Sequence, residues 1–308
     1  MRAQKGNVVC LGNGDSALFV APDMGGRLMR WRHRGEEILH WPERPDWSSP
    51  IQIRGGNPLL FPFIGRHFVD GVQGRWRDAQ GRIRELPQHG FAHQLPFEVT
   101  SFEAGRAITM ALRDTPATRV YYPFGFEFAV EYRLLEDGLE TTITVTHRAG
   151  QEGADVAPPM PFYAGHHFYF AVHRTQRRAS LLRMPPAWTS RQQPDGRLTD
   201  LKDGIAQYRL DDPMLQDCYH VLKGPGAAHL TIPACAGIPH GRQICIEVDG
   251  APDPWYAITT WTERSGDADF YCIEPWMGLA DAIHHHKGLH LLAPGETKSA
   301  VCRLIAKR

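Results

Sequence analysis

Hydrophobic and polar positions alternate over short stretches of this chain. Between residues 124 and 147, Phe124, Phe126, Phe128, Val130 and Tyr132 alternate with smaller or polar residues. Asp137-Gly138 marks a turn, and Leu139, Thr141, Ile143 and Val145 alternate again. A period of two on either side of an Asp-Gly turn predicts a hairpin with one buried face. Residues 8–11 and 17–20, split by Gly-Asn-Gly-Asp, predict a second hairpin, and residues 244–248 and 255–261 read as late strands. No long, capped segment of 3.6-residue period is present; short turns are expected near residues 212–222. With 30 glycines and 24 prolines breaking the chain into short segments, and no repeat or low-complexity linker, the pattern predicts an all-β fold. One large antiparallel β-sandwich over residues 1–308 is the reading, with two smaller domains as the alternative.

Charge narrows the function classes. The 34 basic and 34 acidic residues cancel, which argues against nucleic acid or an anionic membrane as the main partner. Six scattered cysteines without a CxxC pair read as reduced and mostly buried, not as a disulfide frame or zinc site. No apolar run is long enough to span a membrane, and the N-terminal segment lacks the apolar core of a leader, so a cytoplasmic location is expected.

Several segments could carry chemistry. Residues 54–67, RGGNPLLFPFIGRH, form a rigid, irregular loop ending near Arg66, which is either a site residue or a solvated arginine. Residues 86–97, LPQHGFAHQLPF, hold His89 and His93 four apart. That spacing suits a metal only on a helix, and the flanking prolines and Gly90 argue against one. In residues 160–170, MPFYAGHHFYF, strand parity puts His166 with Met160, Phe162, Phe168 and Phe170 on a core face. His167 falls with Tyr163 and Tyr169 on a face that could line a pocket. Glu274 ends a nearly continuous apolar run, where a carboxylate needs a partner, and Pro275 is expected to stop the ladder there. Asp217 would not be chosen alone. His284, His285 and His286 read as a solvated loop, since consecutive residues cannot all face one ion in a regular element.

The ordered set GGNPLLFPFIGR, LPQHGFAH, MPFYAGHHFYF, LQDCYH, IEPWMGL and LLAPGET resembles the aldose 1-epimerase (galactose mutarotase-like) family over nearly the whole chain. The resemblance implies a large antiparallel β-sandwich that interconverts the α and β anomers of a sugar without metal or organic cofactor. It implies Glu274 as general base, His167 as general acid, and Arg66, His89 and Asp217 as groups that hold the sugar. A carboxylate and a protonated imidazole suit the chemistry: one takes the C1 hydroxyl proton while the other protonates the ring oxygen. Three positions depart from the family pattern. Phe168 stands where proline is usual, His93 where the hexose-6-phosphate branch has arginine, and His166 where the residue before the acid is commonly apolar. The substrate is expected to be an aldohexose or a derivative, with room for an anionic substituent near Arg54, Arg66, His67 and His93. Two other readings share the scaffold: a sugar-binding sensor without turnover, and a glycoside hydrolase using Glu274 and Asp217.

Overall fold

The computed structural model describes residues 7–148, 158–235 and 240–307; the first six residues of the segment read for a leader lie outside it. Among the described residues, two large sheets dominate. A nine-stranded sheet holds the predicted hairpin, Phe126–Leu134 and Gly138–His147, flanked by Ala107–Arg113 and Thr297–Lys307. In Phe126–Leu134 buried and half-buried residues alternate without a break, as its period of two requires. An eight-stranded sheet carries Cys218–Leu222, Ala257–Trp261 and Phe270–Trp276 at its centre, with Gly165–His166, Phe168–Ala171 and Leu59–Leu60 toward one edge. A four-stranded sheet opens the chain, and its Val9–Gly12 and Ser16–Ala21 strands are the second predicted hairpin.

A continuous cluster of buried apolar side chains joins the sheets. It includes Val130 and Ile143 from one and Phe168, Ile258 and Ile273 from the other. The aromatic residues pack in specific pairs: Phe61 stacks on Phe128 at 4.5 Å and Phe63 on Tyr163 at 4.9 Å. Among the described residues helix is confined to short segments, the longer of the two α-helices being Pro116–Tyr121. Thr115 caps it and Pro116 sits in its first turn, a start signal legible in Thr-Pro that the strand pattern around it obscures.

Five expectations are corrected. Residues 160–170 are not one strand but three: Met160–Phe162, Gly165–His166 and Phe168–Ala171. The strand bearing Glu274 does not end there; it runs through Pro275 to Trp276, with Ile258 opposite Pro275 and Ala257 opposite Trp276. The segment near 212–222 holds the expected short turn, the 3-10 segment Pro213–Leu215, but then continues as the strand Cys218–Leu222. His284 and His285 belong to a short helix, Ala282–His285, not a loop, and only three of the six cysteines are buried.

Candidate active site

The strand Phe270–Trp276 is buried along its whole length, with strands paired along both edges, as in a strand covered on both faces. That explains its unbroken apolar run and makes Glu274 an exception requiring partners. On one side Thr259 is opposite Glu274, and Tyr219 is opposite Thr259. On the other, Gly165 pairs with Trp276 and Phe168 with Ile273, a single register. Carried across the gap, that register sets His166 opposite Pro275 and His167 opposite Glu274. Pro275 has no N–H to donate, so the ladder lapses there. Directly opposed residues share a face. The row Tyr219, Thr259, Glu274, His167 therefore projects to one side, and all four line a cavity of about 1130 Å³.

His167 Nε2 lies 3.5 Å from Glu274 Oε2. Trp276, two residues along and so on the same face as Glu274, donates its indole N–H to the same oxygen at 3.2 Å. The His167 ring stacks on Tyr169, 4.7 Å between centroids and 7° from parallel. Glu274 is 1% exposed, and burial raises its pKa well above the usual carboxylate range, the Trp276 bond opposing this. Burial, with lesser contributions from His89, Arg54 and Arg27, lowers His167 well below the usual imidazole range. Both shifts disfavour charge, because desolvation penalises the imidazolium and the carboxylate alike.

His166 faces the opposite way, as parity requires. Asn57 organises this region. Its Oδ1 accepts the His167 backbone N–H at 2.9 Å, so its Nδ2 faces His166 Nδ1 at 3.0 Å. His166 thus carries its proton on Nε2 and donates it to Thr141 Oγ1 at 2.9 Å, and Thr141 donates to the Cys302 carbonyl at 3.3 Å. Every link has a donor and an acceptor, and burial holds His166 neutral, its pKa lowered to about 3. Asn57 was not singled out from the sequence. Its signal was faint: a polar residue between Gly-Gly and Pro in an otherwise apolar loop.

His89 reaches the cavity from the turn that precedes the 3-10 segment Ala92–Gln94. Its Nδ1 accepts the Gly65 N–H at 3.2 Å, and burial lowers its pKa to about 3. The neutral ring therefore keeps its proton on Nε2, a fixed donor. Gly90 explains the His-Gly pair: it has φ of +74°, and a Cβ there would lie 2.1 Å from the Phe61 carbonyl oxygen. His89 itself, at φ +65°, and Asp217, at φ +50°, hold left-handed backbone that only six non-glycine residues adopt among those described. Two of the predicted site residues are thus in costly conformations, as is common where function constrains the chain.

Arg66 lines the cavity, its guanidinium held by neutral Gln192 through bonds of 3.2 and 3.4 Å. Asp217 is half-exposed and paired with Arg264 at 3.3 Å. The structure thus brings all five predicted residues to one cavity. Seven arginines line it, among them Arg54, Arg66 and Arg191, against five carboxylates, so the lining is net positive. Arg54 lies over the Trp261 ring at 5.2 Å. His67 and His93, named with Arg54 and Arg66 as neighbours of a substituent, are not in the lining. His67 is buried and bonded to the Leu86 carbonyl, and His93 is 5% exposed. His284 and His285 bond Asp281 and the Ala280 carbonyl. Among the described residues, the metal-competent grouping of three lies elsewhere, at His167, Cys272 and Glu274.

Known proteins share this arrangement of sheets. A protein of Synechocystis sp. PCC 6803, Slr1438, superposes with a TM-score of 0.83 at 24% identity over 99% of this chain and 96% of that one. The galactose 1-epimerase of Lactobacillus acidophilus NCFM gives 0.72 at 16% identity over 97% and 94%. By sequence, proteins of Salmonella typhimurium and Escherichia coli K12, both named "Putative glucose-6-phosphate 1-epimerase", are 27% and 28% identical over 114 residues. Each match covers 36% of this chain and only 34% of the relative's length. The family model for aldose 1-epimerase matches residues 7–304, which takes in every strand of the cavity and both members of the buried pair: the chain belongs to the aldose 1-epimerase family.

Proposed function

We propose that this chain interconverts the α and β anomers of an aldohexose bearing an anionic substituent. The observation that carries this reading is the opposition of His167 and Glu274 at 3.5 Å in a net-positive cavity roomy enough for a substituted sugar. The two groups share one proton. With it on His167, Glu274 takes the proton of the C1 hydroxyl while His167 protonates the ring oxygen, and the ring opens. The pair is then a carboxylic acid and a neutral imidazole, the form that burial favours. Rotation about C1–C2 exposes the other carbonyl face. Closure returns both protons and restores the starting charges. Each positioned transfer typically contributes roughly 10²–10⁴-fold. The His89 Nε2–H is placed to steady oxyanion charge as the ring opens, and Arg66 and Asp217 to hold sugar hydroxyls.

The anionic substituent is inferred from the arginines and agrees with the names of the sequence relatives. Arg54 and Arg66 are its candidate partners. The two-carboxylate hydrolase is disfavoured, because the group facing Glu274 is an imidazole and Asp217 is engaged by Arg264. The test is anomer exchange by NMR on glucose and glucose 6-phosphate with wild type, Glu274→Gln and His167→Asn. Exchange is expected to be faster with the phosphorylated sugar and to fall at least about 100-fold in each variant. Undiminished exchange in both variants would refute the assignment. Equal rates on both sugars would refute the anionic substituent alone.

A further inference from the structure

One side chain beside the pair has no part in proton transfer. Cys272 lies two residues before Glu274 and so on the same face. It belongs to one buried cluster with Tyr169 and Phe270 and is fully buried. Tyr169 is its cross-strand partner and also carries the stacked His167 ring. One nitrogen of His167, the Cys272 sulfur and one Glu274 oxygen all lie within 4.8 Å of one another. His167 Nδ1 is buried and has no hydrogen-bond partner, so no bond there commits the ring to one tautomer.

We propose that His167, Cys272 and Glu274 form a site for a thiophilic divalent cation, Zn²⁺ or Cd²⁺, and that the bound ion shuts off anomer exchange. The donor set of one nitrogen, one sulfur and one oxygen suits zinc, whereas Mg²⁺ demands oxygen ligands. Zinc bonds of about 2.0–2.3 Å in tetrahedral array hold ligand atoms roughly 3.3–3.8 Å apart. His167 and Glu274 already meet that spacing at 3.5 Å. The thiol has to close by about 1 Å at most. Three protein ligands leave the fourth position to water or a sugar hydroxyl from the cavity. Binding displaces the thiol proton and any proton on Glu274 to solvent, with no change of oxidation state. The ion then occupies both proton-transfer groups and competes with the sugar. That inhibition rests on the proposed function; the binding does not.

The experiment titrates wild type, Cys272→Ser and Cys272→Ala with Zn²⁺ by calorimetry and with Co²⁺ by absorbance, and measures exchange across a Zn²⁺ series. Wild type is expected to bind one ion and to show a thiolate-to-cobalt charge-transfer band. Its exchange should be inhibited competitively with sugar and restored by EDTA. Both variants should keep basal exchange and bind Zn²⁺ at least about tenfold more weakly, since even partners outside the ligand shell are worth that much at metal sites. The band should vanish in Cys272→Ala. Equal zinc affinity in wild type and both variants, or a cobalt spectrum without the thiolate band, would overturn the proposal and place any bound ion elsewhere. A Cys272-dependent ion in a chain that exchanges no sugar would uphold the site and refute the proposed function instead.

Discussion

Glu274 and His167 titrate as a pair, and their burial sets the pH range of activity. The active species carries one proton between them. A second proton goes to an imidazole whose pKa is pushed below 6.5, so the acid limb of kcat/KM should lie below pH 6.5. Loss of the last proton is governed by Glu274, which burial raises, so the alkaline limb should lie above the ordinary range of a carboxylate. A pH profile of anomer exchange with its acid limb centred above pH 6.5 would contradict this. The neighbouring histidines separate the two roles further. His166→Phe removes an acceptor from Asn57 and a donor from Thr141, which keep Tyr132 and the Cys302 carbonyl as partners, so each lost bond costs about 0.5–1.5 kcal/mol. Its Tm should fall by several degrees while exchange persists. His167→Phe should hold its Tm and lose exchange, and melts paired with exchange rates would reveal the reverse. Parity of two along GHHFYF was enough to tell these histidines apart in the sequence. Asn57 was not legible, because it acts across 109 and 110 residues of chain, a separation that local pattern does not encode.

At the scale of elements, the site is a fault in a ladder. Gly165–His166 and Phe168–Ala171 keep one register against Phe270–Trp276, and Pro275 interrupts the bonding between them. The gap frees the His167 backbone to bond Asn57. Close packing at Gly165 holds the strands in place: a Cβ there would lie 2.7 Å from the Pro275 carbonyl oxygen and 3.2 Å from Trp276 Cα. Gly165→Ala should therefore push these strands apart. Overpacking of this kind typically costs about 1–3 kcal/mol, and the displacement of His167 should lower kcat more than it raises KM. A Tm and kcat equal to wild type would show that the strands tolerate the shift. Both hairpins were readable because one face of each is buried and their period survives in the burial pattern. The three short strands of residues 160–170 were not, because buried strands lose the alternation that would mark their breaks.

For the whole molecule, buried histidines make acid the weak point. His89, His93, His166 and His220 all have pKa values lowered to about 3, burial being the largest cause. A lowered pKa means that the unfolded chain binds the proton first. Stability from each is therefore full above about pH 6.5 and is lost as pH falls toward 3. Each contributes a slope of about 1.4 kcal/mol per pH unit in that window, so four acting together approach about 5 kcal/mol per unit. Against a typical total of about 5–15 kcal/mol, the chain should unfold between pH 6 and pH 4. Circular dichroism melts from pH 8 to pH 4 should show a level Tm above pH 6.5 and a steep fall below; a Tm unchanged at pH 5 would show these histidines protonate in the fold.

By itself the sequence determined the strand-rich class, the hairpins, the opposite facing of His166 and His167, and, through the ordered motifs, the family. These depend on periods of two to four residues and on short strings that survive in linear order. The tertiary structure alone decided that Glu274 faces His167, that Pro275 continues the strand it was expected to end, and that Asn57 ties its loop to the His167 backbone. It also decided that burial disfavours charge on both His167 and Glu274. Each of these depends on which strands become neighbours and on how far water is excluded between them, and neither register nor desolvation is written in the local order of residues.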